Sequence, residues 1–562
     1  MTEFDIVIFL GYIAGLLTLG ILYSSQIKNT KDMFAAGESS PWWIAGISGH
    51  MAMFTSGTFV VWGGIAFRQG LVGVSILMMI GISAWLVAFT IAARWKVSGA
   101  VTPAEYIENR FGRKAVHFYS WISTIFRMID VGIALYAVSV ILSALIVVPE
   151  GHFLAGSNSQ TLSVYWAIVI CGVSMVLVAA AGGLWAVLMA DVIQFVVLTA
   201  SVLIVIPLLL NEVGGIKSFI DNAPERFFIP YSREFPPLFL VGWVIIHFFK
   251  IGGQWAFVQR FLCVSSKQDA KKAALLFGLL FLVSPIFWML PPMMYRIIDS
   301  NANSEKAFIM ACQSVLPSGM LGLIAASMFA ATASTVNSQI NVFAGAFSRE
   351  IYGKIARFRI TEKSMLLFGR FVSLLLGLIV ISIAVLIPSL GGAENVVLHL
   401  TGMLVTPIVL PSIWSLFSRK IGFSSVIATF SVSIAGMILL KPFIESKSGF
   451  IENPLLLEIW IIGIILPVSV LLLFEFTGSN ESINSSRVIE IRDSADKVPS
   501  LAKAGRLRHF LISAYVLSTG LVILIIAVLN EQGRKVLLIA ASALILAVII
   551  INFRLLKNKF GD

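Results

Sequence analysis

From Phe4 to about position 25 the chain is almost unbroken hydrocarbon, and runs of that length recur to its end. A helix needs roughly 20 apolar residues to cross a bilayer core. Further runs lie at about 42–67, 71–95, 116–147, 161–183, 186–210, 236–258, 273–296, 317–347, 366–389, 394–417, 421–441, 455–476, 508–529 and 535–554, which makes about fifteen spans. With 58% hydrophobic and only 12% charged residues, the chain has no counterpart among water-soluble domains. The alternation over about 10 residues that marks an outer-membrane barrel is absent. The expected fold class is therefore an all-α polytopic membrane protein. Asp5, rather than a basic stretch, opens the first run, and no small-residue cleavage site follows it; it reads as a retained helix. Cys171, Cys263 and Cys312 have no metal or redox spacing and read as small apolar fillers.

The net charge of +11 does not imply nucleic acid, because the basic residues sit in short loops. Alternate loops carry Lys28 and Lys31; Arg94, Lys96, Arg110, Arg113 and Lys114; and Arg260, Lys267, Lys271 and Lys272. The series continues with Arg349, Lys354, Arg357, Arg359 and Lys363, then Arg419 and Lys420, then Arg487 to Arg508 and the tail RLLKNKFGD. The intervening loops PEGHFLAGSNSQ and GGAEN have no Lys or Arg, and NEVGGIKSFIDNAPERFFIPYSREF is mixed. The positive-inside rule puts the first set in the cytoplasm, with the N-terminus outside and the C-terminus inside a multi-pass cytoplasmic membrane protein. An even number of spans would break this alternation. The polar stretch 477–506 reads as a partly flexible cytoplasmic linker to a final hairpin. No G-x-x-x-x-G-K-[ST] loop is present, so ATP drive is not expected.

Two spans carry glycine in their interior. GISGHMAMFTSGTFVVWGGIAF has Ser56-Gly57 near mid-depth, and LFLVGWVIIHFFKIGGQWAFVQR has Gly252-Gly253 past its middle. They lie five spans apart and so cross in opposite directions. Interrupted spans at matching places in two halves point to inverted repeats around a central site. The broken backbone frees carbonyls and amides that can bind an ion or solute where a cavity admits them. The alternative is close packing of helices at small residues.

Six motifs, in order from residue 31 to 354, resemble those of the sodium:solute symporter family. They are KDMFAAGESSPWW, GGIAFRQG, TPAEYIENRFG, AGGLWAVLMADVIQ, QRFLCVSSKQDAKKA and ASTVNSQINVFAGAFSREIYGKI. The resemblance spans 4–476 and implies a LeuT-like five-plus-five inverted repeat with extra terminal helices. The expected units are 1–41 (extra N-terminal helix and loop), 42–210 (first repeat), 211–235 (outer loop) and 236–418 (second repeat). Two further helices (419–476), the linker 477–506 and the hairpin and tail 507–562 follow; the hairpin exceeds the family's common thirteen-helix pattern.

The resemblance also implies ion sites. The main sodium site falls on the carbonyls of Met51 and Phe54 in the first broken helix, with Ala331, Ser334 and Thr335 on the eighth core helix. Oxygen donors suit a hard cation, and spacings of three and four put Ala331, Ser334, Thr335 and Ser338 on one face. A second sodium site, as in some members, falls on Asp191, Asn337 and Ser338. Asn337 departs from the usual hydroxyl, and Asp191 also fits an interfacial charge near a helix start.

The solute pocket departs from the sugar-carrying members. The stretches that hold a Glu, a Lys and a Gln in those members read LVGVSILMMIGISAWLV, LLFLVSPIFWMLPP and NVVLHLTGM here and contain none of them; the sugar-gate Tyr falls on Lys250. The remaining candidates are Thr55, Thr58, Arg127, His247 and Lys250, with His399 read as a hydrogen-bonded core residue. Sialic acid members bind a substrate carboxylate through an Arg on the third core helix, and Arg127 stands as a candidate for that task; pairing with Asp130 is the alternative. The expected activity is sodium-coupled symport of a small organic solute, more suited to a carboxylate-bearing solute than to a glucose-type sugar. No enzymatic chemistry and no cofactor are implied, with sodium as the coupling ion. Proton coupling on the same fold, a transporter-like sensor and a channel are the rival readings.

Overall fold

A computed structural model describes residues 1–24, 38–156, 160–178, 184–347, 362–446, 453–478 and 502–557. The described residues are helical throughout, apart from loops and three isolated β-bridges. Nine of their helices are long and apolar enough to cross a membrane, and a bent pair makes ten. The other expected spans are helices that are shorter, interrupted or only partly described, including Glu3–Ser24, Val164–Val178, Ala502–Leu529 and Arg534–Lys557.

Both interruptions are present. The helix Trp42–Met51 stops, residues 52–56 turn, and a π-helical turn Thr58–Trp62 leads into Gly63–Gln69. Hydroxyls drive this break by competing for backbone groups. The Gly57 amide donates to Thr55 Oγ1 at 3.1 Å, and the Thr55 amide donates to Thr58 Oγ1 at 3.4 Å. The second interruption bends Pro237–Gly253 against Trp255–Leu262 by 57°. Here the structure corrects the expectation. Helix runs through Gly252 and Gly253, and the extended residue is Gln254, at φ −74° and ψ 128°. The two glycines serve contact instead: a Cβ on Gly253 would lie 2.9 Å from Ile413 Cδ1 and Val409 Cβ, and one on Gly252 2.7 Å from Ile91 Cδ1.

The two halves touch through a reciprocal contact. Helices Leu71–Thr90 and Lys267–Trp288 pack together, and a Cβ on Gly81 would lie 2.7 Å from the Gly278 carbonyl oxygen. A Cβ on Gly278 would lie 2.7 Å from the Gly81 carbonyl oxygen in turn. Each glycine thus leaves room for the backbone of the other helix. These helices are five spans apart, the offset expected of the repeats.

Outside this core, the first helix packs on Met320–Phe347, and the final hairpin packs on Leu184–Glu212. Tyr12 and Tyr515 meet edge to face at 5.8 Å between ring centroids, which ties the hairpin to the first helix.

Candidate functional site

The first break lies directly against the 320–347 helix. The Ser56 amide donates to Thr332 Oγ1 at 3.3 Å, and the two hydroxyls are 2.9 Å apart. Ser56 Oγ also donates to the Met328 carbonyl at 3.3 Å, and Ser56 and Thr332 are fully buried. Thr332 was absent from the expected site, although it is one residue from Ala331 on a helix whose hydroxyls were already suspect. Met51 ends its helix, and its carbonyl accepts from the Phe54 amide at 3.0 Å. Among the described residues, the carbonyls of Ala52, Met53 and Phe54 receive no backbone hydrogen bond. Across the interface Ala331 is buried, whereas Ser334 and Thr335 are half-buried. Thr335 Oγ1 donates to the Ala331 carbonyl at 3.2 Å, so the expected carbonyl and hydroxyl lie together one turn apart. Thr55 and Thr58, expected to face solute, spend hydrogen bonds on the break itself.

Asp191 is buried but is not joined to Asn337 by any hydrogen bond among the described residues. Ser48 Oγ donates to Asp191 Oδ2 at 2.5 Å, and Arg260 Nη2 lies 3.6 Å from the same oxygen. Arg260 Nε also donates to Ser48 Oγ at 3.2 Å, which closes a triangle between three helices. Among the described residues Asn337 Oδ1 is buried without a hydrogen-bond partner; the Ser338 side chain lies outside them. Asp191 is 5% exposed and paired with Arg260.

Arg127 Nη1 lies 3.4 Å from Asp130 Oδ2 one turn on, the alternative its spacing allowed. Lys250 feels the charges of Asp130 and Arg127. His247 is buried, its Nδ1 3.0 Å from the Trp243 carbonyl and its ring against the Trp243 indole. His50, which sequence reasoning missed, is buried between Phe195, Phe281 and Trp288, and neither ring nitrogen has a partner. His399 has the hydrogen bond expected of it: its Nδ1 lies 2.5 Å from Oε2 of the buried Glu458. The pair lines a cavity of roughly 1030 Å³.

Among the described residues no group of three or more His, Cys, Asp or Glu could hold a metal ion. What the arrangement offers is an interrupted helix apposed to a hydroxyl-rich one. The model of the sodium:solute symporter family matches residues 33–436. The chain belongs to this family. It is accordingly a multi-pass membrane protein of the sodium-coupled solute symporter class, a secondary transporter rather than an enzyme. It is 25% identical over 496 residues to the sodium/glucose cotransporter of Vibrio parahaemolyticus, with 80% of this chain and 87% of that one covered. It is also 25% identical over 456 residues to the sodium/sialic acid symporter NanT of Aliivibrio fischeri, with 76% and 86% covered. A solved substrate-bound, outward-open structure of a Na+-coupled sialic acid symporter superposes on it with a TM-score of 0.68 at 20% identity. That match covers 86% of this chain and 99% of the other, and it identifies the fold as LeuT-like.

Proposed function

We propose that this symporter couples inward sodium movement to uptake of a small carboxylate-bearing solute by alternating access. Sodium binds at the carbonyls of Met51 and Phe54 and at Ala331, Ser334 and Thr335. The observation that carries this reading is the hydrogen-bonded seam of Ser56 with Thr332 and Met328, which sets the break beside the helix of those three residues. An ion there stabilises the arrangement in which break and helix stay apposed. Coupling follows if sodium binds the alternative states with different affinity. Repeats 42–210 and 236–418 move against each other; 1–41 and 419–562 lie outside them. About fifteen spans, with the N-terminus outside and the basic loops in the cytoplasm, complete the arrangement.

The solute's carboxylate meets Arg127 and Lys250, which lie within electrostatic range of each other and of Asp130. An intramembrane charge cluster of this kind faces a cavity or a partner, and Arg suits a carboxylate through its two-pronged donor fork. His247 flanks Lys250 on the same helix. Thr55 and Thr58 act on the solute only through the shape of the break. A second sodium at Asp191, Asn337 and Ser338 must compete with Arg260 for the carboxylate; the unpartnered Asn337 oxygen supports it.

The test is flux in proteoliposomes under a sodium gradient, repeated with choline in place of sodium. Sodium-dependent uptake of a carboxylate, abolished in choline, is expected. Flux unchanged in choline sinks sodium coupling, and flux that follows pH alone gives the site to protons. Response only to neutral sugars removes Arg127 and Lys250 from the solute site.

A further inference from the structure

The cavity of roughly 1030 Å³ shares no lining residue with the sodium seam and lies on the face bearing residues 303–305, 391–395 and 453–458. The positive-inside reading puts that face outside. Four carboxylates line it, Glu234, Glu305, Glu394 and Glu458, against two guanidinium groups, Arg68 and Arg233. Three of the carboxylates are engaged by donors. Arg68 Nη2 lies 2.7 Å from both oxygens of Glu394. Glu305 accepts from Tyr136 at 2.7 Å and from the Ala393 amide at 3.2 Å, and Glu234 accepts from Gln69 at 2.6 Å.

Glu458 differs. Its side chain is 1% exposed, its Oε2 meets His399 Nδ1, and among the described residues its Oε1 is buried without a partner. A buried carboxylate with one contact is costly unless its partner is charged or donates firmly. A carboxylate on Nδ1 fixes that nitrogen as the donor, so Nε2 of the neutral ring becomes an acceptor. His399 is 24% exposed by its side chain and lines the cavity, and among the described residues Nε2 takes no hydrogen bond. The ring is thus held from behind by a buried carboxylate, and Nε2 of its neutral form faces the cavity as an acceptor.

We propose that the His399–Glu458 dyad is a solute-recognition site in this cavity, with Nε2 accepting a hydrogen bond from a hydroxyl or ammonium group of the solute. This rests on the carboxylate-symport reading above and adds to it a donor elsewhere on the solute. Glu458 is a positioning residue, and His399 makes the contact. The dyad joins the 392–414 helix, inside the second repeat, to the π-helical turn Glu458–Ile465 outside it, so recognition depends on a helix beyond the repeats.

The test uses a matched set of probes on one skeleton: L-alanine (ammonium), L-lactate (hydroxyl) and propionate (neither), with N-acetylneuraminate as a larger hydroxyl-bearing carboxylate. Solute-evoked current is recorded from the full-length protein in proteoliposomes under a sodium gradient. At least one donor-bearing probe is expected to show a lower half-saturation concentration than propionate. The ratio between the two collapses about tenfold in His399→Phe, the size of one lost hydrogen bond, and is restored largely in His399→Gln, which keeps an acceptor. Glu458→Gln lowers the same ratio without removing the ring. Structural damage alone would weaken donor-bearing and donor-free probes alike and leave the ratio unchanged, which overturns the proposal. So does any result in which no donor-bearing probe exceeds propionate. Alanine favoured over lactate assigns the ammonium group, and the reverse assigns the hydroxyl. Propionate as effective as the others leaves carboxylate symport standing and removes the dyad; current from neutral glucose alone removes the carboxylate reading first.

Discussion

Replacing Asp5 should loosen the helix that carries Ala331, Ser334 and Thr335, more than three hundred positions further along the chain. Asp5 is fully buried. Its Oδ1 accepts from the amides of Gly319 at 2.7 Å and Gly322 at 3.0 Å, at the start of the 320–347 helix. The first amides of a helix have no partners within it, and that end of the helix favours negative charge. Asp5 therefore caps this helix from the first one, while Thr2 donates to Asp5 Oδ2 through its amide and its hydroxyl, both at 2.8 Å. Asp5→Ala leaves two amides unpaired in a buried place. Loss of a cap costs up to about 2 kcal/mol, and an unsatisfied buried donor about 1–3 kcal/mol, so about 2–4 kcal/mol in all is expected. Asp5→Asn keeps an acceptor and should lose about half as much or less, because Asn and Asp cap comparably. The assay is thermal unfolding of the purified protein in detergent, paired with the sodium half-saturation of transport. Asp5→Ala should melt several degrees below the parent and need more sodium, with Asp5→Asn between them. A melting point equal to the parent's for Asp5→Ala would refute the cap.

Gly322→Ala probes the same contact from the other side. Its Cβ would fall 2.0 Å from the Asp5 carbonyl oxygen, so the first helix must shift, and poor folding or a melting point below that of Asp5→Ala is expected. Ser56→Ala removes the hydroxyl pair with buried Thr332, a loss of about 1 kcal/mol that should raise the sodium half-saturation roughly fivefold if the seam supports the ion site. Thr335→Ala should raise the sodium requirement sharply in the same flux assay; an unchanged requirement takes Thr335 out of the site. Arg260→Gln strips the charge partner from Asp191, and because an unpaired buried charge is the costly state, adding Asp191→Asn should recover part of the lost thermal stability. A double variant less stable than Arg260→Gln alone would contradict the pairing.

What the sequence exposed and what it hid follow from the range of the interactions involved. Apolar run length is local, so the helical membrane class and most elements were legible, as was the offset between the interrupted spans. The position of the second bend was not. Gly252 and Gly253 read as the hinge because glycine is conformationally free, yet they remain helical beside Ile91, Val409 and Ile413, and the bend passes to Gln254. Both readings of glycine in a membrane helix, break and close approach, thus hold in one stretch, and only the packed neighbours say which residue does which. Ion pairs across the fold were invisible for the same reason. Asp191 with Arg260 and His399 with Glu458 join residues 69 and 59 positions apart, and nothing in their own neighbourhoods announces a partner. Asp5 is the clearest case. At the head of an apolar run it looked like evidence about cleavage, and it is the cap of a helix more than three hundred residues away. In a chain with so few charges, each buried one is expensive to leave alone. The useful question about such a residue is therefore which distant backbone or side chain it was kept for.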